Sequence, residues 1–89
     1  MTETEIIART RAYIQENFLY MRQDFRFEDG DSLLTKGVID SLGVMELVEF
    51  ISGQFGVRVD PSEITEDNFG TLAGIARYVV GKRAQSPQA

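Results

Sequence analysis

The stretch Gly37-Val38-Ile39-Asp40-Ser41-Leu42-Gly43-Val44-Met45-Glu46-Leu47-Val48-Glu49-Phe50-Ile51-Ser52-Gly53-Gln54-Phe55 puts a breaker, an acid and a hydroxyl directly before the strongest helical pattern in the chain. Val44, Leu47, Val48, Ile51 and Phe55 recur at helical spacing, which predicts a helix from about Ser41 to Phe55 with one buried stripe. Asp40 is its natural N-cap, a carboxylate placed to accept from an orphan backbone N–H. Ser41 falls just inside the helix start, where backbone N–H groups are unpaired and the helix dipole is positive, so a phosphate attached there is favoured electrostatically. Leu42 and Met45 lie off the stripe, on the opposite side of the wheel with Glu49, as an apolar step rimmed by acid.

Upstream, Thr2 and Glu5 have the spacing of a capping box and open a first helix. Ile7, Ile14 and Phe18 define its inward face, with Ile6 and Tyr13 flanking, and the periodicity gives out between Asn17 and Tyr20. Residues 19–40 form a connection too long to be structureless in a compact domain. Leu33, Leu34, Val38 and Ile39 are expected to pack it down. Asp29-Gly30-Asp31 is not a calcium loop. With Gly30 at the sixth position, Phe25, Phe27 and Lys36 fall where carboxylates are needed.

Downstream, Gly56 should stop the second helix and Val57-Arg58-Val59 should be extended. Asp60-Pro61-Ser62-Glu63 reads as a cap, a first-position proline and a reciprocal glutamate, giving a short helical turn that carries Ile64 inward. A last helix starts near Thr71, buries Leu72, Ile75, Ala76 and Val79 with Tyr78 at an edge, and is expected to stop at Gly81. The fold class is therefore all-α, a small four-helix bundle of three main helices plus one short helix. Residues 1–83 form the expected single domain and 84–89 a flexible tail.

Composition narrows the function. The 89 residues include no cysteine and no histidine, which excludes a disulfide, a thiolate metal site and any Ser-His or Cys-His pair. Intrinsic catalysis is not expected. The net charge of −5 is concentrated: residues 40–67 carry −6 and the remainder +1. That balance argues against nucleic acid and for partners with basic patches, which an acidic field would steer into contact. No apolar run is long enough to cross a membrane and the N-terminus lacks a secretory layout, so a cytoplasmic monomer without membrane insertion is expected.

Asp-Ser-Leu occurs twice, at Asp31-Ser32-Leu33 and Asp40-Ser41-Leu42. Context selects Ser41, because the pattern after Ser32 breaks at Gly37 whereas Ser41 opens a helix of roughly four turns. The run from Gly37 to Val48 resembles the attachment region of acyl carrier proteins and related peptidyl or aminoacyl carriers. Phe55-Gly56-Val57, Asp60-Pro61, Asn68-Phe69, Leu72, Ile75 and Tyr78-Val79 extend the likeness over most of the chain. The resemblance implies an acyl-carrier-like fold with 4′-phosphopantetheine on the Ser41 hydroxyl, attached by a phosphopantetheinyl transferase. It further implies acyl or aminoacyl thioesters on the arm, loaded by a ligase and used by downstream synthases or transferases of fatty acid, polyketide or nonribosomal peptide type.

In the same likeness Asp40 holds the loop, and Leu42, Met45, Glu46 and Glu49 resemble the face offered to partner enzymes. Gly43 and Ser52-Gly53-Gln54 stand where fatty-acid synthase carriers are acidic, so the wording is more similar to stand-alone carriers of specialised pathways, including aminoacyl and D-alanyl carriers. From the residues alone the alternative is an unmodified helical adaptor that binds through Leu42 and Met45.

Overall fold

The structure is a computed structural model describing residues 2–22 and 24–85. Its elements run α1 (Glu3–Asn17), α2 (Ser41–Phe55), a 3-10 turn (Pro61–Glu63), α3 (Glu66–Phe69) and α4 (Leu72–Gln85), with no strand among the described residues. The expected helical bundle is present.

The capping box of α1 forms as the sequence requires: Glu5 N donates to Thr2 Oγ1 at 3.1 Å and Thr2 N to Glu5 Oε1 at 3.2 Å. Its buried ridge, however, is Ile6, Thr10 and Ile14, not the Ile7-centred face expected; Ile7 is only partly buried. The ridge follows an i, i+4 row that packs on α4, and Thr10 hides it from a hydropathy reading because it scores as polar while being fully enclosed.

The long connection packs through Leu19, Phe27, Leu33, Val38 and Ile39, all buried. Long-range bonds hold it. Arg11 donates to the Phe27 carbonyl at 2.8 Å and pairs with Asp29, Ala73 N donates to the Asp29 carbonyl at 3.0 Å, and Leu33 N to the Gly70 carbonyl at 2.8 Å. Asp31 accepts from Glu28 N at 2.7 Å, so the Asp-Gly-Asp acids close a turn and tie it to α1. Leu34 departs from expectation by being 44% exposed. In the tight turn of residues 32–37 its neighbour Leu33 takes the inward position, and Val38 N folds back onto the Leu33 carbonyl at 2.9 Å.

In α2, Leu47, Val48, Ile51 and Phe55 are buried and Val44 partly so. Gly56 closes the helix in the left-handed conformation at φ 66°, as its position predicted. The Asp60-Pro61 segment forms only a 3-10 turn, in which Asp60 N donates to Glu63 Oε1 at 3.0 Å. The short helix of the bundle is α3, capped by Thr65, which accepts from Asn68 N at 3.3 Å. Ile64 consequently stays half exposed while Phe69 of α3 enters the core.

Gly81 does not stop α4, which runs four residues further to Gln85. A glycine ends a helix by turning left-handed, and among the described residues only Gly37 and Gly56 have positive φ. The extra turn is anchored instead: Lys82 Nζ bonds Glu63 Oε1 at 3.0 Å and Arg83 Nη1 bonds the Phe55 carbonyl at 2.7 Å. Ala84 and Gln85 of the expected tail are therefore helical, and residues 86–89 lie outside the described residues.

Candidate functional site

The turn before α2 aims its start outward. Gly37 adopts φ 76°, a conformation that favours glycine, and its N–H closes on the Leu34 carbonyl at 3.1 Å. Val38 and Ile39 then bury their side chains, so Asp40 and Ser41 emerge at the surface. Asp40 Oδ1 accepts from Gly43 N at 2.8 Å, and the Asp40 carbonyl accepts from Val44 N at 3.0 Å. The cap is built as the sequence predicted, and Ser41 is the first helical residue.

The two Asp-Ser-Leu serines have opposite surroundings. Ser32 Oγ accepts from Thr35 N at 3.2 Å and donates to Glu66 Oε2 at 3.2 Å, tying the connection to α3. Ser41 is exposed, and its hydroxyl bonds no other described residue. One hydroxyl ties the fold together and the other is exposed and unbonded among the described residues.

Ser41 and Asp40 border a surface depression of about 490 Å³ whose other walls are Phe18, Arg22, Leu34, Gly37, Val38 and Ile39. The sequence placed Phe18 only on the inward face of the first helix and marked neither it nor Arg22 for the site. Phe18 is the C-cap of α1, and Arg22 lies in the aperiodic segment after it; both line the depression that Ser41 borders because the connection folds back. A second, smaller cleft of about 130 Å³ lies between α2 and α3, lined mainly by Leu33, Leu34, Ile39, Val44, Ile64 and Phe69.

On α2 the proposed step is exposed: Leu42 at 78% and Met45 at 52%, with Glu46 and Glu49 exposed beside them. Behind this face Tyr13 stacks on Phe50, centroids 4.0 Å apart, and its hydroxyl donates to the Glu46 carbonyl at 3.4 Å. Burial, then the charges of Glu46 and Glu49, raise the Tyr13 phenol above its ordinary range.

A family model described as a phosphopantetheine attachment site matches residues 22–79. The chain belongs to the phosphopantetheine-binding carrier family. It is similar to the D-alanyl carrier protein of Streptococcus sanguinis, 33% identical over 89% of this chain and 96% of the relative. The D-alanyl carrier proteins of Streptococcus gordonii and Streptococcus thermophilus are each 32% identical over the same shares. This carrier's cofactor is covalent 4′-phosphopantetheine, and the residues at α2 fit it: an exposed, unbonded hydroxyl, a helix start that favours phosphate, and an adjacent depression with apolar and cationic walls. The arm supplies a thiol to a chain that has none. No helix among the described residues is long and apolar enough to cross a membrane.

Proposed function

We propose that Ser41 is the attachment residue, and that the carrier presents a small acyl or aminoacyl group on its arm to partner enzymes without catalysing a step itself. The observation that carries this reading is the contrast between the bonded Ser32 and the unbonded, exposed Ser41. Asp40 fixes the first turn of α2 so that the hydroxyl is held at one place on the surface, and Leu42, Met45, Glu46 and Glu49 form the adjoining face for docking. The absence of histidine and cysteine supports a carrier that depends on other proteins for chemistry. Those partners are a phosphopantetheinyl transferase, a ligase that loads the thiol, and an enzyme that removes the group, all meeting a cytoplasmic monomer. The likeness to D-alanyl carriers makes D-alanine a cargo to try first, and the small α2–α3 cleft, on the scale of a cavity that takes one benzene ring, favours a short group over a long chain.

The test is to incubate the protein with coenzyme A and a broad-specificity transferase and measure its mass. One added phosphopantetheine that disappears in Ser41→Ala and persists in Ser32→Ala is expected. An unchanged mass with a transferase proven on a control carrier would reject the site and leave an unmodified adaptor working through Leu42 and Met45.

A further inference from the structure

We infer that Arg22 is the cationic seat of the phosphodiester on Ser41, a positioning residue for the root of the arm; this rests on Ser41 being the attachment residue. Arg22 and Ser41 line the same depression. The guanidinium is held at two points: Nη2 donates to the Gly37 carbonyl at 2.7 Å, and the carbon centre lies 4.6 Å from the centroid of the Phe25 ring. Gly37 closes the turn that leads into Ser41, so the contact that fixes Arg22 ties it to the segment that carries the serine.

Charge explains why a cation is needed there. A phosphodiester on Ser41 brings a permanent negative charge beside the Asp40 carboxylate, which is committed to capping Gly43 N. Two anions at one helix start repel, and the helix dipole offsets only part of that. Arg22 has no carboxylate within ion-pair distance among the described residues, whereas Lys36 of the same connection pairs with Asp31 at 3.8 Å and Arg11 pairs with Asp29. A guanidinium has five N–H donors, of which the Gly37 carbonyl takes one, and its planar fork matches two phosphate oxygens. The charge that the site needs is thus present, oriented and not neutralised by a carboxylate.

The experiment uses the holo protein, with modification at Ser41 first established by mass. Failure at that stage rejects the attachment site itself, and only a modified protein tests Arg22. In the wild type the Arg22 side-chain N–H resonances should move between apo and holo forms, and the ³¹P resonance of the phosphodiester should shift, as salt rises from about 20 mM to about 500 mM, toward the free position, that of the same phosphodiester in urea-unfolded holo protein. In Arg22→Gln the ³¹P line should already sit at the free position and narrow, with no salt dependence; Arg22→Lys should fall between. A merely structural Arg22 would leave the apo and holo side-chain resonances alike and the wild-type ³¹P shift indifferent to salt, and either result overturns the inference. The wild-type measurement decides the matter even where Arg22→Gln disturbs the turn.

Discussion

The ring of Phe18 lies so close to Gly43 that a β-carbon on the glycine would come within 2.9 Å of the Phe18 Cε1 atom, and within 3.3 Å of both Asp40 Oδ1 and Ile39 Cβ. Gly43 therefore stands inside α2, despite the helix propensity it gives up, because the end of α1 and the cap of α2 meet there. Phe18 is also a wall of the depression beside Ser41, so this contact shapes the candidate site.

Gly43→Ala should accordingly fail to gain the helix propensity of alanine and should lose about 1 kcal/mol in denaturant unfolding, with Phe18→Leu in the same background recovering part of it. Gly53 and Gly81 are helical and have open space where a β-carbon would be. Gly53→Ala and Gly81→Ala should each stabilise by about 0.5–1 kcal/mol. A Gly43→Ala gain as large as theirs would refute the packing explanation.

The two serines should separate in stability as well as in modification. Ser32→Ala removes two hydrogen bonds, one to Glu66 of α3 and one from Thr35 N within the connection, and should cost about 1 kcal/mol. Ser41→Ala removes none within the described residues and should stay within about 0.5 kcal/mol of wild type by the same unfolding assay.

Asp40→Ala should lose about 1 kcal/mol through its cap to Gly43 N, while Asp40→Asn, an equally good cap, should retain most of that stability. Equal losses in the two variants would mean that charge, and not the cap bond, is what α2 requires.

Glu63 joins the 3-10 turn to α4: it accepts from Asp60 N, from Tyr78 Oη at 2.9 Å and from Lys82. The Asp60 backbone bond first, then the Lys82 and Tyr78 bonds, hold its carboxyl below the ordinary range. A depressed folded-state value means that the contribution is complete above the unfolded pKa of about 4.3 and is lost as pH falls through the folded value. Between pH 7 and pH 3 the wild type should lose more stability than Glu63→Gln, measured as melting temperature. Tyr78 has the opposite sign. Burial and the Glu63 carboxylate push its phenol far above the usual tyrosine range, so its share is full below about pH 10 and fades only at higher pH. Tyr78→Phe should flatten the alkaline limb and, by removing one of the bonds that hold Glu63 low, shrink the acid limb in part.

Charge reversal at Glu46 and Glu49 should slow association with a loading ligase, most strongly at low salt, in stopped-flow binding measurements. Rates that do not change with these substitutions would remove the acidic face of α2 from docking.

What the sequence by itself determined is what short-range chemistry encodes: the Thr2–Glu5 box, the Asp40 cap, the buried stripe of α2, the Gly56 stop, and Ser41 set apart from Ser32 by the helix behind it. Each is settled within one or two turns of chain. The tertiary structure alone decided the rest, because the deciding partners are distant in sequence. Ile6 and Thr10 take the core in place of Ile7 where α1 meets α4, and Leu33 displaces Leu34 in a turn bonded to Gly70. Gly81 stays helical because Glu63 and Phe55 hold the residues after it. Phe18 and Arg22 come to share a depression with Ser41 only when the long connection, stitched to Arg11, Gly70 and Ala73, folds back. Hydrophobic periodicity reports which face of a helix turns inward, and it carries no information about which distant side chain arrives opposite a given residue.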